Sequence, residues 1–138
     1  MPILKRHAGF IATGILTALI FSVPASAHHS GAMFDFTRCK LLTGTVRKLE
    51  WMYPHSWLWV NVVDGQGVTT AWGFEFMSPT QAKGIDPLWS KDVMQKGDKV
   101  AVKFLPLKDG RSGGALKSVT MPSGHVLGGS PGECTVTP

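Results

Sequence analysis

The sequence predicts a mainly β protein, a small OB-like (oligonucleotide/oligosaccharide-binding) five-stranded, partly open barrel with one short helix between strands three and four. Three observations carry that expectation. Residues 55–63 alternate Leu58, Val60 and Val62 with Trp57, Trp59 and Asn61, the period of two that marks a strand with one buried face. Asp64-Gly65-Gln66-Gly67 then reads as a hairpin turn, because Asp-Gly tolerates the positive φ angles of a tight reversal. Finally, Ser78-Pro79 with Gln81 opens a helix as a capping box, and Lys96-Gly97-Asp98 leads back into strand. Three strands, a helix and two strands in a chain of this size is the order of an OB barrel.

The chain starts before that domain. Lys5, Arg6 and His7 precede an apolar run over residues 9–23, and Ala25-Ser26-Ala27 supplies the small residues of a cleavage site. The run is about 15 residues where a spanning helix needs roughly 20, and Pro24 ends it, so residues 1–27 read as a cleaved secretory signal and not as a membrane span. The predicted product is exported, and periplasmic where the cell has an outer membrane. Residues 28–138 form one OB-like β domain with a flexible, Gly- and Pro-rich C-terminal tail. That leaves 111 of the 138 residues, and loss of Lys5 and Arg6 takes the formal charge from +5 to +3. So mild an excess, scattered singly, argues against a nucleic-acid partner; a small ligand, a metal ion or another exported protein remains.

Within the domain, residues 40–51 form the first strand, with Leu42 and Val46 inward and Gly44 marking a bulge or sharp coil. Residues 55–63 and 68–77 are the second and third, the latter with Val68, Thr70, Trp72, Phe74 and Phe76 on one face. Gly84 stops the helix early, and residues 85–95 are irregular around Trp89 and Val93. The fourth strand alternates Val100, Val102 and Phe104 with lysines, residues 106–114 are a polar loop, and residues 115–121 are the fifth strand. Pro122-Ser123-Gly124 is a final turn before the tail.

Cys39 and Cys134 are the only two cysteines, and an even count in an exported chain reads first as a disulfide, here closing a loop of about 95 residues.

The residues resemble an uncharacterised family of small exported bacterial proteins, a domain-of-unknown-function family. The resemblance rests on His28-His29-Ser30 with Phe34-Asp35, Gly44-Thr45-Val46, Glu50-Trp51, Pro54-His55-Ser56-Trp57, Ser78-Pro79, Lys96-Gly97-Asp98-Lys99-Val100, Pro106-Leu107, Asp109-Gly110 and Gly113-Gly114. Tyr53 stands where the family pattern has asparagine, and the cysteine pair departs from it. The resemblance implies no activity, so the chemistry rests on the residues themselves.

Cleavage after Ala27 makes His28 the first residue, and its α-amine and ring nitrogen can chelate one ion, an arrangement known as a histidine brace. His28, His29 and His55 are the candidate metal ligands, with copper favoured, since neutral imidazole suits copper, zinc and nickel. Met33 or Met52 adds a thioether if the ion is Cu(I). The plainer alternative for His55 is a hydrogen bond that shapes the turn. Tyr53, Trp57 and Trp59 form a candidate ligand platform, or else the tryptophans pack beneath the N-terminal segment around Phe34 and Phe36. The nucleophile elbow, the zinc-protease helix, Cys-x-x-Cys and phosphate-loop motifs are missing from the sequence. Glu50 and Glu75 are the only acid–base candidates beside the tryptophans, so binding is favoured over catalysis.

Overall fold

The computed structural model describes residues 31–137. The order of elements is a 3-10 turn at Gly31–Met33, β1 (Lys40–Glu50), β2 (Ser56–Val63), β3 (Thr69–Phe76), α1 (Pro79–Ile85), β4 (Lys99–Pro106), β5 (Gly113–Thr120) and β6 (Val126–Gly128). The strands are hydrogen-bonded in the order β3-β2-β1-β4-β5-β6, and a parallel β3–β5 pairing closes five of them into a barrel. Closure runs through three residue pairs, Gly73 with Gly113, Phe74 with Gly114 and Glu75 with Ala115. Two of these pairs include Gly113 or Gly114, where a Cβ would lie 2.6 Å from Gly73 O or 2.2 Å from Leu105 O respectively. Bare backbone at both positions lets the strands meet.

Most of the expected inward residues line the barrel; Val68, which lies before β3, and Thr70 near its start are exposed instead. Leu58, Val60, Val100, Val102, Phe104, Phe74 and Phe76 are buried, and Leu42, Val62 and Trp72 pack against them from the ends. Side-chain alternation has a period of two, so a one-residue slip would have turned all of these to solvent.

The irregularity in β1 is not at Gly44. Register against β2 shifts between Val46 and Lys48, leaving Arg47 as the extra residue. Its effect is to switch faces: Val46 points inward, yet Lys48 and Glu50, two and four residues on, stand opposite Trp59 and Trp57 on the outer face. Gly44 serves a different need, since a Cβ there would meet Asn61 O at 2.5 Å.

The β2–β3 turn is organised by Asp64, whose Oδ1 accepts from the N–H groups of Gln66 and Val68, both at 2.9 Å. The positive φ falls on Gly67 (83°) and not on Gly65. At α1, Gln81 Oε1 accepts from the Ser78 N–H at 3.3 Å and its hydroxyl at 2.9 Å, as the capping signal predicts. Gly84 does not stop the helix; it lies inside α1, which ends at Asp86, extended at φ −141° and ψ 117°. Pro87 is the cause, because the residue before a proline is driven out of the helical region.

Residues 85–95, read as irregular, carry the largest side chain of the core. Trp89 is fully buried at the α1 end of the barrel, stacked on Phe76 (4.7 Å between centroids) and Trp51 (6.0 Å). Its Nε1 donates to Gly128 O at 2.8 Å, which ties it to β6, a strand the sequence reading did not contain. The chain after β6 is held by Gly129 N–H to Lys117 O at 2.9 Å, Ser130 Oγ to Leu116 O at 3.0 Å, and Thr137 N–H to Cys39 O at 2.9 Å. Cys39 and Cys134 are disulfide-bonded, with Cα atoms 5.7 Å apart.

Candidate functional site

Cross-strand register collects the polar and aromatic residues of interest on the outer face of β1, β2 and β3. Trp57 stands between Glu50 and Glu75, and Trp59 between Lys48 and Gly73. The two indoles stack on each other at 5.8 Å with planes 20° apart, and both are half-buried. Trp59 is pinned from both sides. Its Nε1 donates to Glu50 Oε2 at 2.8 Å, and Lys48 Nζ lies 5.6 Å from its ring centroid while also pairing with Glu50. Lys48 first, and then the Trp59 N–H, holds the Glu50 carboxyl below the usual glutamate range.

On the far side, Trp59 lies against Gly73, where a Cβ would approach its ring carbons to 2.8 Å. Gly73→Val is therefore expected to displace Trp59 and strain the β3–β5 closure, lowering stability by about 1–3 kcal/mol. Urea unfolding followed by tryptophan emission reads both effects, and an unchanged midpoint and spectrum would contradict them.

His55 sits just before β2, half-buried, with Nδ1 hydrogen-bonded to the Glu75 carboxylate. A carboxylate only accepts, so this contact places a proton on Nδ1. The imidazole is thereby oriented on the same face as Trp57, the cross-strand neighbour of Glu75. Local sequence showed neither pairing. Glu50 and Glu75 stood out only as carboxylates near tryptophans, and their partners follow from register between strands.

Tyr53 does not join the tryptophans. It is exposed, follows an outward course in the β1–β2 loop, and its hydroxyl hydrogen-bonds to Thr80 Oγ1 on α1. Met52 is exposed in the same loop, and its carbonyl accepts from Ser56 Oγ at 3.4 Å. His125 pairs through Nε2 with Asp86 Oδ2 at 2.8 Å, away from this face. His28 and His29 lie outside the described residues. Among the described residues, no three His, Cys, Asp or Glu side chains gather in a metal-binding group.

The N-terminal segment runs beside the tryptophans. Phe34 bridges to Leu107, Asp35 N–H donates to Pro106 O at 2.8 Å, and Lys108 N–H to Met33 O at 2.9 Å. A cavity of about 250 Å³ opens between this segment, Trp57, Trp59 and the β4–β5 loop, with Arg111 and Ser112 at that loop. Phe34 thus lines the space beside the tryptophans, whereas Phe36 is exposed. Arg111 had no signal in the sequence beyond membership of a polar loop.

Among the described residues, no helix is long and apolar enough to cross a membrane. No curated protein and no solved structure matches the chain. A family model covers residues 17–117, a span that includes Cys39, His55, Trp57, Trp59 and Arg111 and stops before Cys134. The chain therefore belongs to the family of unknown function DUF6152.

Proposed function

We propose that the protein is an exported binding or accessory protein that holds a transition-metal ion, copper first, through His28, His29 and His55. The observation that carries this reading is the contact between His55 Nδ1 and Glu75. Metal-ligating histidines characteristically donate one ring N–H to a carboxylate, which orients the ring and raises the basicity of the imidazole. Connectivity adds support. His28 lies three positions before Gly31, and three residues span up to about 10 Å, while the chain just after Gly31 lines the Trp57 cavity, and Trp57 is two residues after His55. The free α-amine supplies a donor that side chains alone lack. Met33, exposed at that cavity, is the thioether nearest to hand for Cu(I). Export is supported by the disulfide, which belongs to oxidising compartments.

The test compares three forms of the mature chain in Cu(II) titrations near neutral pH, where imidazoles are available to ligate. A chain starting at His28 is expected to bind at least about tenfold more tightly than one with an extra residue before His28, because extension removes the amine from the His28 chelate ring. His55→Ala and Glu75→Gln are each expected to weaken binding, the latter by about 10–100-fold as for other carboxylates behind a metal ligand. His125→Ala, whose imidazole pairs with Asp86 instead, serves as the unaffected control. Equal affinities for native and extended chains would rule out the brace.

A further inference from the structure

We propose that the cleft between Met33, Phe34, Trp57, Trp59 and Leu107 binds one small aromatic carboxylate, its ring among these side chains and its carboxylate on Arg111. This inference needs no ion and does not rest on the metal reading, although Met33 borders both sites.

Shape sets the size of the ligand. The cavity is about 250 Å³, against about 150 Å³ for an engineered cavity that accepts benzene, so one substituted ring fits with little to spare. Gly73, Gly113 and Gly114 line part of it with backbone alone. The walls are fixed in advance, Trp59 by Glu50 and Phe34 by its bridge to Leu107. Preorganised walls lose little freedom on binding.

Charge sets its class. Arg111 is the one charged residue lining the cleft among the described residues. Asp109 steadies it, with Oδ2 accepting from Arg111 Nε at 2.7 Å and Oδ1 from its backbone N–H at 3.1 Å. Asp109 engages only Nε of the guanidinium, so the two terminal nitrogens remain to fork onto a carboxylate. A neutral sugar fits poorly, because its hydroxyls need several polar partners and the lining is mostly apolar. A peptide strand fits poorly too. β2 is paired on both sides and β3 is paired with β2 and β5, so this face offers no open edge for augmentation.

The experiment follows the indole and backbone N–H resonances of the mature protein in chelator-treated buffer while benzoate or benzyl alcohol is added. Benzoate is expected to shift the indole N–H signals of Trp57 and Trp59 and the amides of Gly113 and Gly114 saturably at millimolar concentration. Benzyl alcohol, with the same ring and no charge, is expected to bind about tenfold more weakly or worse. Arg111→Gln, an exposed change that leaves the fold's dispersion intact, is expected to bring benzoate down to the benzyl alcohol level and leave benzyl alcohol unaltered. Equal binding of the two ligands, shifts centred elsewhere, or the absence of saturation would overturn the proposal. So would much tighter binding of an acetylated dipeptide ending in phenylalanine, which would make the occupant a protein C-terminus.

Discussion

Replacing Cys39 and Cys134 with alanine is expected to lower the unfolding free energy by about 4 kcal/mol, toward the top of the range for native disulfides. The sequence separation is 95, so the bond removes the freedom of nearly the whole domain in its unfolded state. For a domain with a total stability of about 5–15 kcal/mol, that is a large share. The folded state loses as well. Cys39 is buried, and its carbonyl accepts the Thr137 N–H, so the last residues are fastened at the start of β1. Guanidinium unfolding of the double variant, beside the native chain with and without reductant, measures the effect. Reduced native protein and the variant should share one midpoint. An oxidised chain no more resistant than either would show that the bridge adds nothing.

Trp89→Ala is expected to cost about 3–5 kcal/mol, the range for truncating a large buried aromatic. Trp89 plugs the α1 end of the barrel, stacked on both Phe76 and Trp51, so truncation removes both ring contacts at once. Truncation also strips the donor from Gly128 O, loosening β6. Trp89→Phe separates the two contributions. It keeps an aromatic ring on Phe76 and removes the N–H, so about 1 kcal/mol should be lost from the hydrogen bond besides a smaller packing loss. Hydrogen exchange at Leu127 and Gly128 should rise in both variants. If β6 exchanged as slowly in Trp89→Ala as in the native chain, the tie between plug and strand would be refuted.

What the sequence made legible was local. Alternation in β2 and β4, the Ser78–Gln81 cap and the paired cysteines each state their structure within a few residues or by elimination, and the barrel followed from their order. Contacts across the chain were not legible. Val126–Gly128 is too short for a periodic signal and exists as a strand because β5 offers an edge and Trp89 a donor. Arg47 gives no hint of being a bulge, yet it alone turns Glu50 toward Trp59. The same holds for the candidate site. His55, Trp57 and Trp59 were visible by composition, whereas Glu75 as the partner of His55 and Arg111 at the cleft depend on strand register and loop placement. Tyr53, adjacent to them in sequence, is drawn instead to Thr80 on α1.

The bond between Cys39 and Cys134 also decides how the protein carries load. Tension applied through the segments outside these two residues passes along the covalent link and bypasses every strand of the barrel. A tether at either end therefore loads the flanking segments and their own contacts, Phe34 with Leu107 and Thr137 with Cys39, while the strands between the two cysteines are bypassed until a thiol exchanges with the bond. The domain is in this sense a knot in the line, insensitive to pulling and sensitive to reductant.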